Sequence, residues 1–253
     1  MTTITINQQS YDVDAILFDK DGTLLNFGDL WLGWLSALLR QVNGRLEPNR
    51  HIPPHDIAGA LGVSPDFQQW DPTGPLTIGS MDDIVSILSL HLYQHADQAW
   101  NDASRLVRDS MANLESETDP ALRVTAVAGL TEFLVRAREQ GVVMAVVTSD
   151  DTSSAHQHLR RLEIDGYFPV VLGHDQVARG KPYPDMALTA CDKLGVAPHR
   201  TLLFGDSNGD MKMAREAGLV AGIGLTPAPH LGTRHLADAD QIIRHYGEVS
   251  FPT

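Results

Sequence analysis

Cysteine is almost absent. Cys191 stands alone among 253 residues, which rules out an internal disulfide and a disulfide-stapled scaffold and fits a reducing compartment. Positive charge is also scarce, with 19 Lys and Arg against 32 Asp and Glu and a formal net charge of −13. A field of that sign repels nucleic acid and anionic membrane surfaces, so neither is expected as a partner. An anionic ligand would need positive charge built locally. Lysine is limited to Lys20, Lys181, Lys193 and Lys212, and residues 26–121 contain none. No apolar run approaches the ~20 residues that span a bilayer, and the opening MTTITINQQSYD has no basic patch followed by an apolar stretch. The expectation is a soluble, cytoplasmic protein without internal repeats. What is present is a hydrophobic share of 43%, enough to bury a sizeable core in one large domain or a domain with an insert.

Short apolar runs bounded by turn residues recur at 15–18, 142–147, 170–172, 201–204 and 220–223, and read as strands buried on both faces. Helical periodicity covers 131–140, 154–162, 185–194 and 211–217, and three of these segments end beside Gly141, Gly195 or Gly218, as left-handed helix caps prefer. The alternation predicts a parallel α/β sheet with right-handed crossovers. Residues 4–6 and 11–13 suggest a small hairpin before the first strand. The segment 26–121 breaks the rhythm. It carries helical patterns at 29–42, 81–95 and 98–114, a Pro/Gly-rich stretch at 64–80 and a polar joint at 115–120. The expected layout is therefore an α/β core from 1–25 and 122–253, interrupted by a helical module at 26–121. The Trp31, Trp34 and Leu38 stripe of that module reads as packing.

Four strand ends carry polar residues suited to chemistry. In FDKDGTLL, Asp19 and Asp21 stand at i and i+2, so in an extended chain both side chains leave on one side and can converge on one ligand. Two acids that close need a shared proton or a cation, although Asp is also an ordinary turn former. In TLLFGDSNGD, Asp206 follows a strand, and Asp210 or Asn208 suits either a site or a helix cap. Asp19, Asp21 and Asp206 together offer the hard oxygen ligands that Mg²⁺ takes. In VVMAVVTSDD, the Thr148 and Ser149 hydroxyls suit a phosphate oxygen, while Ser149 or Asp150 equally suits capping of the next helix. In ARGKPYPD, Lys181 precedes Pro182, which biases it to extended backbone and delivers its side chain from a structured loop.

The four pieces DKDGT, VVTS, GKPYPD and GDSNGD, in this order and on these strand ends, resemble the motifs of the haloacid dehalogenase superfamily. More narrowly, the chain resembles its phosphoglycolate phosphatase-like subfamily, in which a helical cap follows the first motif. The resemblance implies a Rossmann-like, three-layer core of parallel sheet and helices with an inserted α-helical cap that closes over the site, hinged near 26–29 and 116–120. It implies a Mg²⁺-dependent phosphatase for a small-molecule phosphate ester, with phosphoglycolate the first candidate. Asp19 would be the nucleophile and Asp21 the general acid and base. Asp19, the carbonyl of Asp21 and Asp206 would hold Mg²⁺, with Asp210 behind them. Lys181, Thr148 and backbone N–H groups near Lys20, Asp21 and Ser149 would hold the phosphoryl oxygens.

Asp21 argues against the halide-displacing relatives, which lack the second acid. The absence of lysine from 26–121 argues against the phosphonate-cleaving ones, which use a cap lysine. Sugar-phosphate mutases of the beta-phosphoglucomutase type share the acid pair, but their fourth motif usually begins Glu-Asp where this chain has Gly205-Asp206. A catalytically silent phosphate-binding or signalling protein is the reading outside enzymes, and the complete set of motif residues counts against it.

Overall fold

The computed structural model describes residues 2–116 and 124–251. The expected resumption of the core at residue 122 and most of the polar joint, 117–120, lie outside the described residues. The backbone divides into two compact units, Met1–Asn26 with Val124–Thr253, and Phe27–Arg123.

The first unit begins with an antiparallel hairpin of β1 (Thr2–Ile6) and β2 (Gln9–Val13), each strand starting two residues earlier than the sequence suggested. It continues into β3 (Ala15–Phe18), and after the second unit come α6 (Leu130–Glu139), β4 (Val143–Val147), α7 (Thr152–Arg161) and β5 (Val170–Leu172). Then follow α8 (Asp185–Leu194), β6 (Thr201–Gly205), α9 (Asn208–Glu216), β7 (Ala221–Leu225), β8 (Gln241–Ile243) and β9 (Val249–Ser250). A six-stranded parallel sheet runs β5-β4-β3-β6-β7-β8, while β9 pairs antiparallel with β1. The strands that carry the first, second and fourth motifs are immediate neighbours, with β3 between β4 and β6.

Strand alternation sorts the sheet into three layers. Ile16 and Phe18 of β3 face Leu130, Phe133 and Leu134 of α6 and Leu159 of α7. Leu17 faces the other way, toward Met186, Ala187 and Ala190 of α8 and Met213 and Ala214 of α9. All four residues of β3 are buried, as a central parallel strand covered on both faces requires. On the α6 side, Phe133 stands edge-on to Phe18 and Phe204, at 6.1 and 5.6 Å between centroids, and stacks on Tyr246 at 5.0 Å.

The second unit is helical. After a π-helical turn, Gly28–Leu32, come α1 (Gly33–Asn43), α2 (Pro54–Ala60), α3 (Pro75–Ile78), α4 (Met81–His95) and α5 (Trp100–Ser116). It has its own core, in which Leu35, Leu38 and Val42 meet Ile84, Leu88 and Leu92 of α4 and Val107 of α5. Trp31 and Trp34 pack edge to face at 5.4 Å, so the aromatic stripe serves packing. Ser80 and Asp83 form a reciprocal capping box that fixes the start of α4. No helix among the described residues is long and apolar enough to cross a membrane.

Phe133 joins α6 to the middle of the sheet and is 3% exposed. Phe133→Ala is expected to lower unfolding free energy by about 3–5 kcal/mol in urea titration. A loss under about 1 kcal/mol would contradict this account of the core.

Candidate active site

The period of two along β3 continues one step past the strand and divides two side chains between the two faces. Asp19 follows Leu17 toward the α8 and α9 side, where it meets Lys181 and Asp210. Lys20 follows Ile16 and Phe18 toward α7, where it meets His158. The chain then turns at once. The N–H groups of Thr23, Leu24 and Leu25 all donate to the Lys20 carbonyl, at 3.3, 2.9 and 3.1 Å, and the Tyr246 hydroxyl donates to the Thr23 carbonyl at 3.1 Å. Gly22 sits at φ +79°, and a Cβ there would overlap the Asp206 carboxylate. Only glycine lets the first-motif turn approach the fourth-motif acid this closely.

Asp19, Asp206 and Asp210 bring one carboxylate oxygen each within 4.8 Å of one another. Lys181 lies among them, with its Nζ 2.5 Å from Asp19 Oδ1 and 2.6 Å from Asp210 Oδ1. The other oxygen of Asp210 accepts from the Ser207 hydroxyl at 2.6 Å and the Ser207 N–H at 3.2 Å, which closes the capping box at the start of α9. Asp210 is thus both a helix-capping group and a partner of Lys181. Because of that box the helix begins at Asn208, three residues before the sequence suggested. Asn208 bonds instead to Asp238 at 2.8 Å.

Two buried acids, Asp19 and Asp210, and the half-buried Asp206 around one ammonium leave excess negative charge. Burial is the main force that pushes the Asp19 pKa up to about 7, with Lys181 opposing and the charges of Asp210 and Asp21 adding to it. Burial, then the Asp19 and Asp210 charges, hold Asp206 well above the usual carboxylate range. Burial disfavours the Lys181 ammonium, but Asp19 and Asp210 outweigh it and raise its pKa.

Asp21 is close enough for its charge to act on Asp19, but both its carboxylate oxygens are bound by Lys20, at 2.8 and 2.7 Å. The strand stops before it, so the side-by-side geometry of an extended D-x-D is replaced by a turn. Thr148 is buried at the end of β4, its N–H on the Leu172 carbonyl at 2.9 Å and its hydroxyl accepting from Asp150 N–H at 3.1 Å. Ser149 is exposed beside it. Neither Ser149 nor Asp150 caps α7. Asp151 holds the N-cap position, and Asp175 accepts from the Thr152 N–H at 2.9 Å and its hydroxyl at 2.8 Å. Asp150 instead pairs with Lys20 at 3.1 Å. The signal in the sequence was a lysine two residues after a fully apolar strand, at the alternating position that continues the face of Ile16 and Phe18 and so sends its side chain inward.

Residues 13–218 match the model of the haloacid dehalogenase-like hydrolases. The chain belongs to this family. Among relatives of this hydrolase is the probable phosphatase IndB of Dickeya dadantii, 35% identical over 137 residues, 54% of this chain and 59% of IndB. The match thus spans a little over half the length of that relative. The phosphoglycolate phosphatase of Escherichia coli K12 is 38% identical over 87 residues, 34% of each chain. Among solved structures, one described as a predicted phosphoglycolate phosphatase from Haemophilus somnus 129PT superposes with a TM-score of 0.68 at 22% identity, covering 93% of this chain and 96% of that one. At that identity the likeness concerns the fold, which is the Rossmann-like α/β core with a helical insert.

The donor set suits a hard divalent cation. The three acids offer only oxygen, and among the described residues nothing donates a hydrogen bond to the half-buried Asp206 carboxylate, which leaves its oxygens open to a cation. Without a cation, Asp19 has a pKa of about 7 in the folded hydrolase against about 4 unfolded. A raised value stabilises fully below about pH 4 and is lost as pH rises through about 7. In metal-free buffer, Asp19→Asn should therefore gain melting temperature relative to the unaltered chain as pH rises across that window. A difference that stays flat with pH contradicts this electrostatic description.

Proposed function

We propose that this hydrolase is a cytoplasmic, Mg²⁺-dependent phosphatase that cleaves a small-molecule phosphomonoester through an aspartyl-phosphate, with phosphoglycolate the first substrate to try. The observation that carries the reading is Asp19, buried at the end of the central strand, held by Lys181 and beside Asp206 and Asp210. The names of IndB and the Escherichia coli relative support phosphate esters as the substrate class.

In the first step an Asp19 oxygen bonds to phosphorus while the ester P–O bond breaks, and the electron pair leaves on the alcohol oxygen, which takes a proton from Asp21. In the second, water attacks the same phosphorus, gives its proton to Asp21 and frees the Asp19 carboxylate. Lys181, fixed by Asp19 and Asp210, neutralises a non-bridging oxygen. Thr148, with N–H groups around Lys20, Asp21 and Ser149, orients the others, since in-line positioning and charge compensation carry most of phosphoryl transfer. Asp19, Asp206 and the Asp21 carbonyl, with Asp210 behind them, would hold Mg²⁺, which would supply a Lewis acid to offset the charge of the phosphoryl group. Lys181 and the cation together answer how a chain of net charge −13 binds an anion.

Phosphate release from an aryl phosphate is expected to require Mg²⁺, to stop with chelator, and to fall by about 10³-fold or more in Asp19→Asn. Turnover that persists in chelator or in that variant contradicts the reading. So does isomerisation of a hexose 1-phosphate faster than inorganic phosphate appears.

A further inference from the structure

The phosphatase reading gives Lys20 only a main-chain role, yet its side chain is one of the largest fully buried in the protein, at 0% exposure. Burying an ammonium costs several kcal/mol unless its partners are complete. Here they are. An ammonium has three N–H groups, and Lys20 Nζ meets four acceptor atoms on three residues, so one N–H is shared: Asp21 at 2.7 and 2.8 Å, Asp150 Oδ2 at 3.1 Å and His158 Nδ1 at 3.1 Å. Asp150 is itself fixed, accepting from the Ser154 hydroxyl and the Asp151 N–H, both at 2.8 Å. Burial and the neighbouring Lys20 charge lower the His158 pKa to about 4, so its ring is neutral near pH 7 and its Nδ1 accepts from the lysine. Nothing in this arrangement touches the Asp19, Asp206 and Asp210 oxygens. It points at one catalytic candidate, Asp21, whose side chain is 19% exposed while the ammonium that holds it is wholly enclosed.

We propose that Lys20 is a positioning residue for the acid–base chemistry of Asp21, anchored from behind by Asp150 and His158, so that the carboxylate plane is set before substrate arrives. This rests on the phosphatase reading. Contact of one ammonium with both oxygens fixes rotation about the last side-chain torsion, a freedom that a lone carboxylate at a turn would have to lose during reaction. Each oxygen keeps a second lone pair outside the network, and one of these carries the proton passed to the departing ester oxygen. The buttress stands on the α7 side of the sheet and the nucleophile's partners on the α8 and α9 side. The alternation at Asp19 and Lys20 thus separates control of attack from control of the leaving group.

The test is the leaving-group dependence of Lys20→Met, read as kcat/KM with Mg²⁺, which reports only steps through departure of the alcohol. An alkyl phosphate, whose leaving oxygen needs a proton, should lose about 10²-fold, whereas 2,4-dinitrophenyl phosphate, whose phenolate leaves unaided, should lose less than about 3-fold. Equal losses on both esters overturn the proposal, because a lysine that merely holds the loop in shape misplaces Asp19 for every substrate. No loss on either overturns it as well. Because Lys20→Met strands two acids, the double variant Lys20→Met/Asp150→Asn, which keeps the net charge of the cluster, is measured alongside with its melting curve. It should give the same unequal losses, and its failure to fold would assign the network to folding and overturn the proposal. If the unaltered protein hydrolyses neither ester, the phosphatase reading falls first and this one with it; hydrolysis with the wrong leaving-group pattern removes only this one.

Discussion

The organising constraint is electrostatic: three carboxylates, the buried Asp19 and Asp210 and the half-buried Asp206, share a single buried ammonium, Lys181. Like charges that close raise one another's proton affinity, and low local dielectric amplifies the effect. The cluster has three ways to relax: hold a proton, hold a cation, or receive an electrophile that turns one carboxylate into an ester. The last two describe phosphoryl transfer, so the repulsion among the three carboxylates is the tension the proposed reaction relieves. The scaffold tolerates it because each acid hangs from a rigid element, Asp19 from β3, Asp206 from β6 and Asp210 from the first turn of α9.

The same sheet that gathers the acids also sorts their partners. Parallel pairing puts the ends of β4, β3 and β6 side by side, where ligands of open α/β sheets bind. Alternation along β3 then sends Asp19 and Lys20 to opposite faces, giving each a private set of neighbours. Gly22 at positive φ and the Tyr246 hydroxyl on the Thr23 carbonyl hold the turn between them. The C-terminal part of the chain therefore braces the first motif from more than 200 residues away in sequence, the Thr23 and Tyr246 positions being 223 apart.

Much of this was legible before any coordinates. The five strands were readable because each is a short apolar run, and 15–18 and 170–172 carry the same bounds in the structure, although the edge strand 170–172 is only partly buried where burial on both faces was expected. β8 opens on Gln241 and β9 is only Val249 and Ser250, so neither leaves an apolar run of three, and both exist through their pairing with β7 and β1. The short helices α2 and α3 were hidden inside Pro-rich stretches, where proline reads as a breaker although it is also favoured in a first helical turn. In the site, residue types and order pointed to Asp19, Lys181, Asp206 and Asp210, which the structure brings together. The neutral His158 and the diversion of Asp150 from capping were not legible, because each depends on contact of Lys20 with a segment about 130 residues away; the pairing of Asp21 with its neighbour Lys20 depends on the turn that follows β3. Asp210 was a choice between cap and site only on paper, since its two oxygens serve one role each.

The central claim is that Asp19 becomes covalently phosphorylated. The most direct measurement is an acid quench of the unaltered hydrolase during turnover of a phosphate ester with Mg²⁺, followed by peptide mapping by mass spectrometry. The account predicts one added phosphoryl group on the peptide bearing Asp19, lost on treatment with hydroxylamine as an acyl phosphate is. Turnover with no phosphoryl group on the protein, or with the group on a different residue, would contradict it.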